Sequence, residues 1–307
     1  MPEPKVEESK EIEDFDARKR AFAEVLVELI EPHAPAINEK FKALGKWLEG
    51  VSSRAAPFIQ ALANVDWEKL TKKLYELPQQ SKEAMQIASR QGWFFNWQGS
   101  LKQTVQLVDR LHGTEGVEAV DQVLMEHYND CWDGYVELLA VAFPARKVVI
   151  EAAVRAHREF APAGYSLSIP VFLAQADGIF SEITNTQSAM SKQGGNTKGG
   201  AWVKEEIGSD QDAIDLLFPI LQLHELDILK SQPARDAASA ESGKVFDALN
   251  RHQVMHGETS SYGTELNSVK AFSFLVFVAL HVPDILQSAR ERSESETASN
   301  PPKIPET

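Results

Sequence analysis

The sequence predicts an all-α protein, a helical bundle with additional N-terminal helices. Apolar residues recur at three- and four-residue spacing along most of the chain rather than alternating. The periodic runs are broken at prolines and at Gly- or Ser-rich polar stretches. From 17 to 48, Phe22, Val25, Leu26, Leu29 and Ile30, then Ile37, Phe41 and Leu44, mark two helices separated at Pro32 and Pro35. Further helices are expected over 54–64, 66–76, 79–90, 100–112, 116–141, 145–160 and 165–185. The stretch 191-SKQGGNTKGGAWVK-204 reads as a flexible connection. It lacks the G-x-x-x-x-G-K-[ST] pattern of a phosphate loop, and no apolar strand precedes it. A helix over 210–224 follows, then a second loop, 231-SQPARDAASAES-242. Residues 243–257 read as one helix with Val245, Phe246, Leu249 and Val254 on its apolar face and Gly257 at its end. A long helix over 264–286, with Thr264 as its N-cap, closes the bundle. Residues 1–15 and 288–307 read as disordered ends with little apolar surface to bury.

Composition narrows the function classes. A chain of 307 residues suits one or two domains. The formal net charge is -14, and residues 1–16 carry seven Asp/Glu against two Lys. That argues against a surface built for non-specific nucleic-acid binding, although an acidic body leaves room for a small basic site. The single cysteine, Cys131, excludes an internal disulfide and a cysteine-rich zinc site, and it reads as packing beside Trp132. The acidic N-terminus lacks the basic start and apolar core of a signal peptide. The most apolar run, 271–282, is shorter than the roughly 20 residues that span a bilayer. A soluble, cytoplasmic protein without a membrane partner is therefore expected.

The chemistry concentrates in 250-NRHQVMHG-257. His252 and His256 stand four apart and share a helix face, as two zinc ligands would. The zincin pattern H-E-x-x-H needs a glutamate as general base, and Gln253 stands there instead. His224 and Glu258 are candidate third ligands by residue type alone, so neither a metal nor another cofactor is expected. Arg251 and His256 together make R-x4-H. A guanidinium can hold a phosphate and stabilise the charge gained in the transition state, and an imidazole can move a proton at a ribose hydroxyl. In a chain with eight histidines, R-x4-6-H arises about once by chance, so context has to decide. The bland alternative is a helix end, with His256 favoured by the helix dipole and Arg251 an ion-paired surface residue.

The context is 258-ETSSYGTELNSVKAFSFL-275. The succession RHxxxHG…YGTxxNSxKA resembles the end of an uncharacterised bacterial family whose C-terminal region looks like a HEPN domain. Two upstream stretches carry the same likeness. One is 90-RQGWFFNWQG-99. The other lies within 143–183, at Phe143-Pro144, Arg146, His157, Tyr165, Ile169-Pro170 and Gln175-Ala176-Asp177-Gly178. The resemblance implies a helical domain over 90–287, preceded by a helical region over 16–89. It implies a metal-independent endoribonuclease, of the kind found in toxin–antitoxin and anti-phage systems. Arg251 would bind the phosphate, His256 would act as general acid/base, and His252 would fill the polar position after the arginine. It also implies a homodimer with two motifs facing one cleft, RNA as substrate, and an antitoxin or regulator as a further partner. Non-catalytic members of such a class bind RNA, a nucleotide or a protein instead.

Four more residues are candidates for substrate binding. Asp177 is either a buried partner for Arg251 or a histidine, or a helix-capping carboxylate, and Gln175 shares that choice. Tyr262 is either a base-stacking ring or a loop anchor. Asn267 and Lys270 open the final helix near the motif, where Lys270 is either a phosphate contact or a solvated side chain. The aromatic cluster Trp93, Phe94, Phe95 and Trp97 reads as core or docking patch. His157, among Arg146, Arg155 and Arg158, reads as part of a solvated helix because Glu151 and Glu159 are interleaved.

Overall fold

The structure is a computed structural model describing residues 67–95, 101–114 and 116–299. The expectations for 1–15, for the helices at 17–48 and 54–64, and for Trp97 lie outside the described residues. The chain divides into two units, Met1–Pro78 and Gln79–Thr307. The described part of the first is the leading half of helix α1, Trp67–Arg90.

The protein is all-α, with one small hairpin among the described residues. After α1 come α2 (Leu101–His112), α3 (Val117–Ala142), α4 (Lys147–Glu159) and α5 (Ala163–Ile183). A two-stranded hairpin, β1 (Lys192–Gln193) and β2 (Asn196–Thr197), leads into α6 (Lys198–Ile207). Short helices α7 (Gln211–Leu216) and α8 (Phe218–Leu221) follow, then α9 (Gln232–Ser242) and α10 (Arg251–His256). Helix α11 (Glu265–Val276) continues through a π-turn at Phe277–His281 into α12 (Val282–Ser299).

The core forms where three apolar faces meet. Helix α3 buries Val120, Leu124, Tyr128, Trp132, Tyr135 and Leu139, which recur every three or four residues and so line one face. Helix α5 brings Ile169, Phe172, Leu173, Ala176, Ile179 and Phe180. Helix α11 is buried on every side from Asn267 to Val276 and packs against α3 and α5. Each such Leu, Phe or Ile contributes about 1.5–3 kcal/mol on burial. Among the described residues, Glu265–Glu294 is the one helix long and apolar enough to cross a membrane, and 83% of its apolar window is buried inside the protein. That burial is the pattern of a central core helix.

Trp93, Phe94 and Phe95 are core, at 0–1% exposure, with the Phe94 ring 4.7 Å from Phe274 and 5.7 Å from Phe277. His157 is also buried rather than solvated. Its ring stacks on Trp132 at 4.6 Å, and its Nδ1 lies 2.9 Å from the Ser268 hydroxyl. The neighbouring charges stay outside, where Arg158 pairs with Asp133.

The structure departs from the sequence reading at several breaks. The helices expected at 66–76 and 79–90 are one, α1, with Pro78 inside it, and after the proline its buried face is Ser81, Ala84, Met85 and Ala88. The Gly-rich stretch 191–204 is a hairpin and a helix. Thr197 caps that helix by accepting from the Gly200 N–H at 3.0 Å. Gly199 is inside it because a Cβ there would come within 2.4 Å of the Phe180 ring. The helix expected at 210–224 is two short ones, the second starting at Phe218-Pro219. The loop at 231–242 is helix α9, with Pro233 in its first turn, where a missing N–H costs nothing. The helix expected at 243–257 exists only from Arg251, and Val245, placed on its apolar face, is 86% exposed. The tail from 288 is helical through Ser299.

Candidate functional site

Helix α10 begins where it does because of Asn250. Its side-chain oxygen accepts from the Gln253 N–H at 3.2 Å, an N-cap bond. Its amide also donates to the carbonyls of Asp227 (2.6 Å) and Lys230 (3.0 Å), so the cap is anchored as well as capping. The helix ends at Gly257, whose left-handed φ of 68° turns the chain, and the Glu258 N–H then closes on the Gln253 carbonyl at 2.9 Å. Val254 buries the inner face.

Arg251 is the first residue of α10, where the helix dipole disfavours a cation. Asp177 of α5 supplies the counter-charge, with Nη2 to Oδ2 at 2.5 Å and both side chains 20% exposed. Asp177 is thus the partner of Arg251 rather than a cap. Gln175 turns elsewhere, accepting from Arg146 at 2.7 Å, and Arg146 also pairs with Glu182.

His252 and His256 share a face, with parallel rings whose centroids are 5.9 Å apart and planes 13° apart. His256, in the last turn, is exposed. His252 is half-buried, and burial lowers its pKa below the usual histidine value. The charges of Arg251, His256 and Arg235 lower it further, while Glu258 opposes them. Arg251 and His256 are five residues apart, about 140° around a helix. One faces α5 and the other faces solvent, so a single chain does not converge them.

Two residues the sequence reading passed over organise this site. Arg235 of α9, only 5% exposed, donates to the Lys230 carbonyl, to Asn250 Oδ1 and to Glu258 Oε2 at 3.1, 3.2 and 2.6 Å. Asn250, quoted in the motif, was given no role there. Neither carries a pattern of its own, and Arg235 sat in a segment read as loop. Beside α10, a cleft of about 410 Å³ opens between α9 and residues 245–246, lined by Arg235, Asp236, Ser239, Phe246, Gln253 and Glu258.

The other candidates divide. Tyr262 is a loop anchor, its hydroxyl donating to the Ser166 carbonyl at 3.1 Å. Asn267 is buried, receives the Thr264 cap through its N–H and donates its amide to the Tyr262 carbonyl at 3.0 Å, so it shapes the loop after the motif. Lys270 is neither a phosphate contact nor a solvated side chain. It is 8% exposed, pairs with Asp121 at 3.0 Å and lies 5.4 Å from the Trp93 ring centre. Helix α11 turns it inward, toward α3, because nearly all of that helix is core. His224 approaches Glu225 at 3.5 Å, and among the described residues no group of three His, Cys, Asp or Glu side chains is arranged to hold a metal ion. Cys131 sits partly buried, with its thiol pKa raised by burial and by Asp130.

Comparison with known proteins adds no relative: no family model, no curated protein and no solved structure matches the chain. The class that fold and site define is an all-α protein presenting an Arg–His–His helix at its surface.

Proposed function

We propose that the protein is a metal-independent endoribonuclease of HEPN type, a cytoplasmic toxin or anti-phage effector. The observation that carries this reading is His256, exposed and stacked on His252 on the helix that also holds Arg251. His256 acts as general base and acid. Arg251 binds the scissile phosphate and stabilises the charge that builds on it. His252, held toward its neutral form, supports the His256 ring. The 2′-hydroxyl loses its proton to an imidazole and attacks phosphorus. The 5′-oxygen leaves with a proton, and a 2′,3′-cyclic phosphate remains.

The divergence of Arg251 and His256 within one chain supports a homodimer, in which each cleft combines groups from both motifs. Paired motifs also concentrate positive charge on an otherwise acidic body. An antitoxin or regulator belongs to the same reading.

A second reading is a non-catalytic HEPN-like module that binds RNA, a nucleotide or a protein partner. The ion pair with Asp177 favours it, since it occupies part of the guanidinium. Incubation of the purified protein with total RNA in EDTA separates the two, alongside Arg251→Ala and His256→Ala. The nuclease reading expects cutting by the wild type alone, with cyclic-phosphate ends. Intact RNA with the wild type, or equal cutting by all three, overturns it. Growth arrest on expression, relieved by His256→Ala, is an independent expectation.

A further inference from the structure

A helix of six residues has almost no stability of its own, because it closes too few hydrogen bonds to offset its nucleation. Something outside α10 must hold it, and through it the stacked histidines. Asn250 stands immediately before the helix, and Glu258 immediately after its capping glycine. One side chain reaches both. The Arg235 guanidinium donates through Nη1 to Asn250 Oδ1 at 3.2 Å and through Nη2 to Glu258 Oε2 at 2.6 Å. The Asn250 oxygen it holds is the same atom that caps the helix. The Lys230 carbonyl, which also receives the Asn250 amide, accepts from Nη1 at 3.1 Å and fixes the fork on the α9 side.

We infer that Arg235 is a positioning residue for the motif helix: a buried guanidinium that fastens both ends of α10 and so fixes the His252–His256 stack. The planar fork is essential to this role. It sends two separate nitrogens toward the two ends, whereas a lysine ammonium is a single point on a flexible stem. The role therefore differs from that of a buried charge that merely neutralises Glu258, which lysine would replace. It deepens the proposed function, and its catalytic consequence rests on that reading.

The test is amide hydrogen exchange on the full-length protein, read without RNA. Arg235→Lys raises exchange at Gln253, Val254, Gly257 and Glu258 by at least about tenfold, as expected for loss of a charge-assisted hydrogen bond. The Phe272 and Phe274 amides of α11 keep their wild-type rates. Glu258→Gln, a change at a side chain 42% exposed, raises exchange only at Gly257 and Glu258 and spares Gln253. Wild-type protection of α10 in Arg235→Lys overturns the clamp, as does a loss that spreads equally to α11. Unchanged Gly257 and Glu258 in Glu258→Gln would remove its C-terminal arm. In the RNA assay, Arg235→Lys lowers kcat/KM by about 100-fold, because the helix that shifts carries both Arg251 and His256. A failed clamp shows in the exchange rates. A failed nuclease reading shows as intact RNA with the wild type.

Discussion

Arg251 and Asp177, 74 residues apart in sequence, meet through one hydrogen bond, Nη2 to Oδ2 at 2.5 Å. The contact joins the motif helix to α5. It is not the two-pronged arrangement that arginine and a carboxylate can form, since Arg251 Nε and Asp177 Oδ1 are both buried without a partner. The pair holds the arginine against an unfavourable helix dipole while leaving part of its hydrogen-bonding capacity unused.

A double-mutant cycle measures what that contact contributes. Asp177→Asn, Arg251→Gln and the double variant, compared by urea unfolding, are expected to show a coupling on the order of 1 kcal/mol. Each single change leaves a part-buried partner uncompensated, so each costs more alone than beside the other. Strictly additive effects would mean that Asp177 does not hold Arg251 in solution.

Asn250 performs more than an ordinary cap does. Thr264 offers the internal comparison, because its side chain accepts one bond, from the Asn267 N–H. Thr264→Ala is expected to cost about 1 kcal/mol, the usual value for a lost cap. Asn250→Ala removes the cap, two donations to carbonyls and an acceptor for Arg235, so its cost should be at least about twice as large. Equal losses of stability for the two variants would reduce Asn250 to a simple cap.

The contrast between these caps shows what the sequence could disclose. Thr264 before an apolar run is a local signal, and the helix start was read correctly from it. Helices α2 to α5 were equally legible, because long amphipathic periodicity is local too. The start of α10 depends on Asn250 being anchored by carbonyls twenty and more residues earlier and by Arg235, a relationship no window of sequence contains. Gly199 and Gly200 read as breakers because their reason, contact with Phe180 and with the hairpin, is tertiary. At the site, the shared face of His252 and His256 followed from spacing alone. The partnership of Arg251 with Asp177 appeared only as one alternative among several. Lys270 was misread because a lysine in a polar-looking motif gives no sign that its helix is buried all round.

Lys270 and Asp121 make a further stability test. Asp121 accepts from Trp93 Nε1 at 2.6 Å and pairs with Lys270 at 3.0 Å through the same Oδ1 atom. Asp121→Ala leaves a buried ammonium without its counter-charge and is expected to cost about 3–5 kcal/mol. Lys270→Met leaves Asp121 without its counter-charge, but that carboxylate is the more exposed partner and still accepts from Trp93, so its cost should be smaller than that of Asp121→Ala. Denaturation midpoints in the reverse order would show that the lysine, not the carboxylate, governs this cluster.

Buried histidines set the pH response of the fold. His157 against Trp132 and fully buried His281 in the π-turn are both held near pKa 4, and desolvation is the main cause in each. An unfolded histidine titrates near 6.5. Below that pH the unfolded chain takes up protons that the folded protein refuses, so stability is full above about pH 6.5 and declines as pH falls toward 4. Each such group contributes a slope of up to about 1.4 kcal/mol per pH unit within that window. Measurement between pH 7 and 5.5 isolates the histidines, because most carboxylates remain ionised there. The test variant is His281→Gln, which retains a donor for the Leu216 carbonyl that His281 Nε2 reaches at 3.2 Å but cannot be protonated. Its stability should fall less over that interval than the wild type's, even if its value at pH 7 is lower. Parallel wild-type and His281→Gln curves would mean that His281 is already free to protonate in the folded protein.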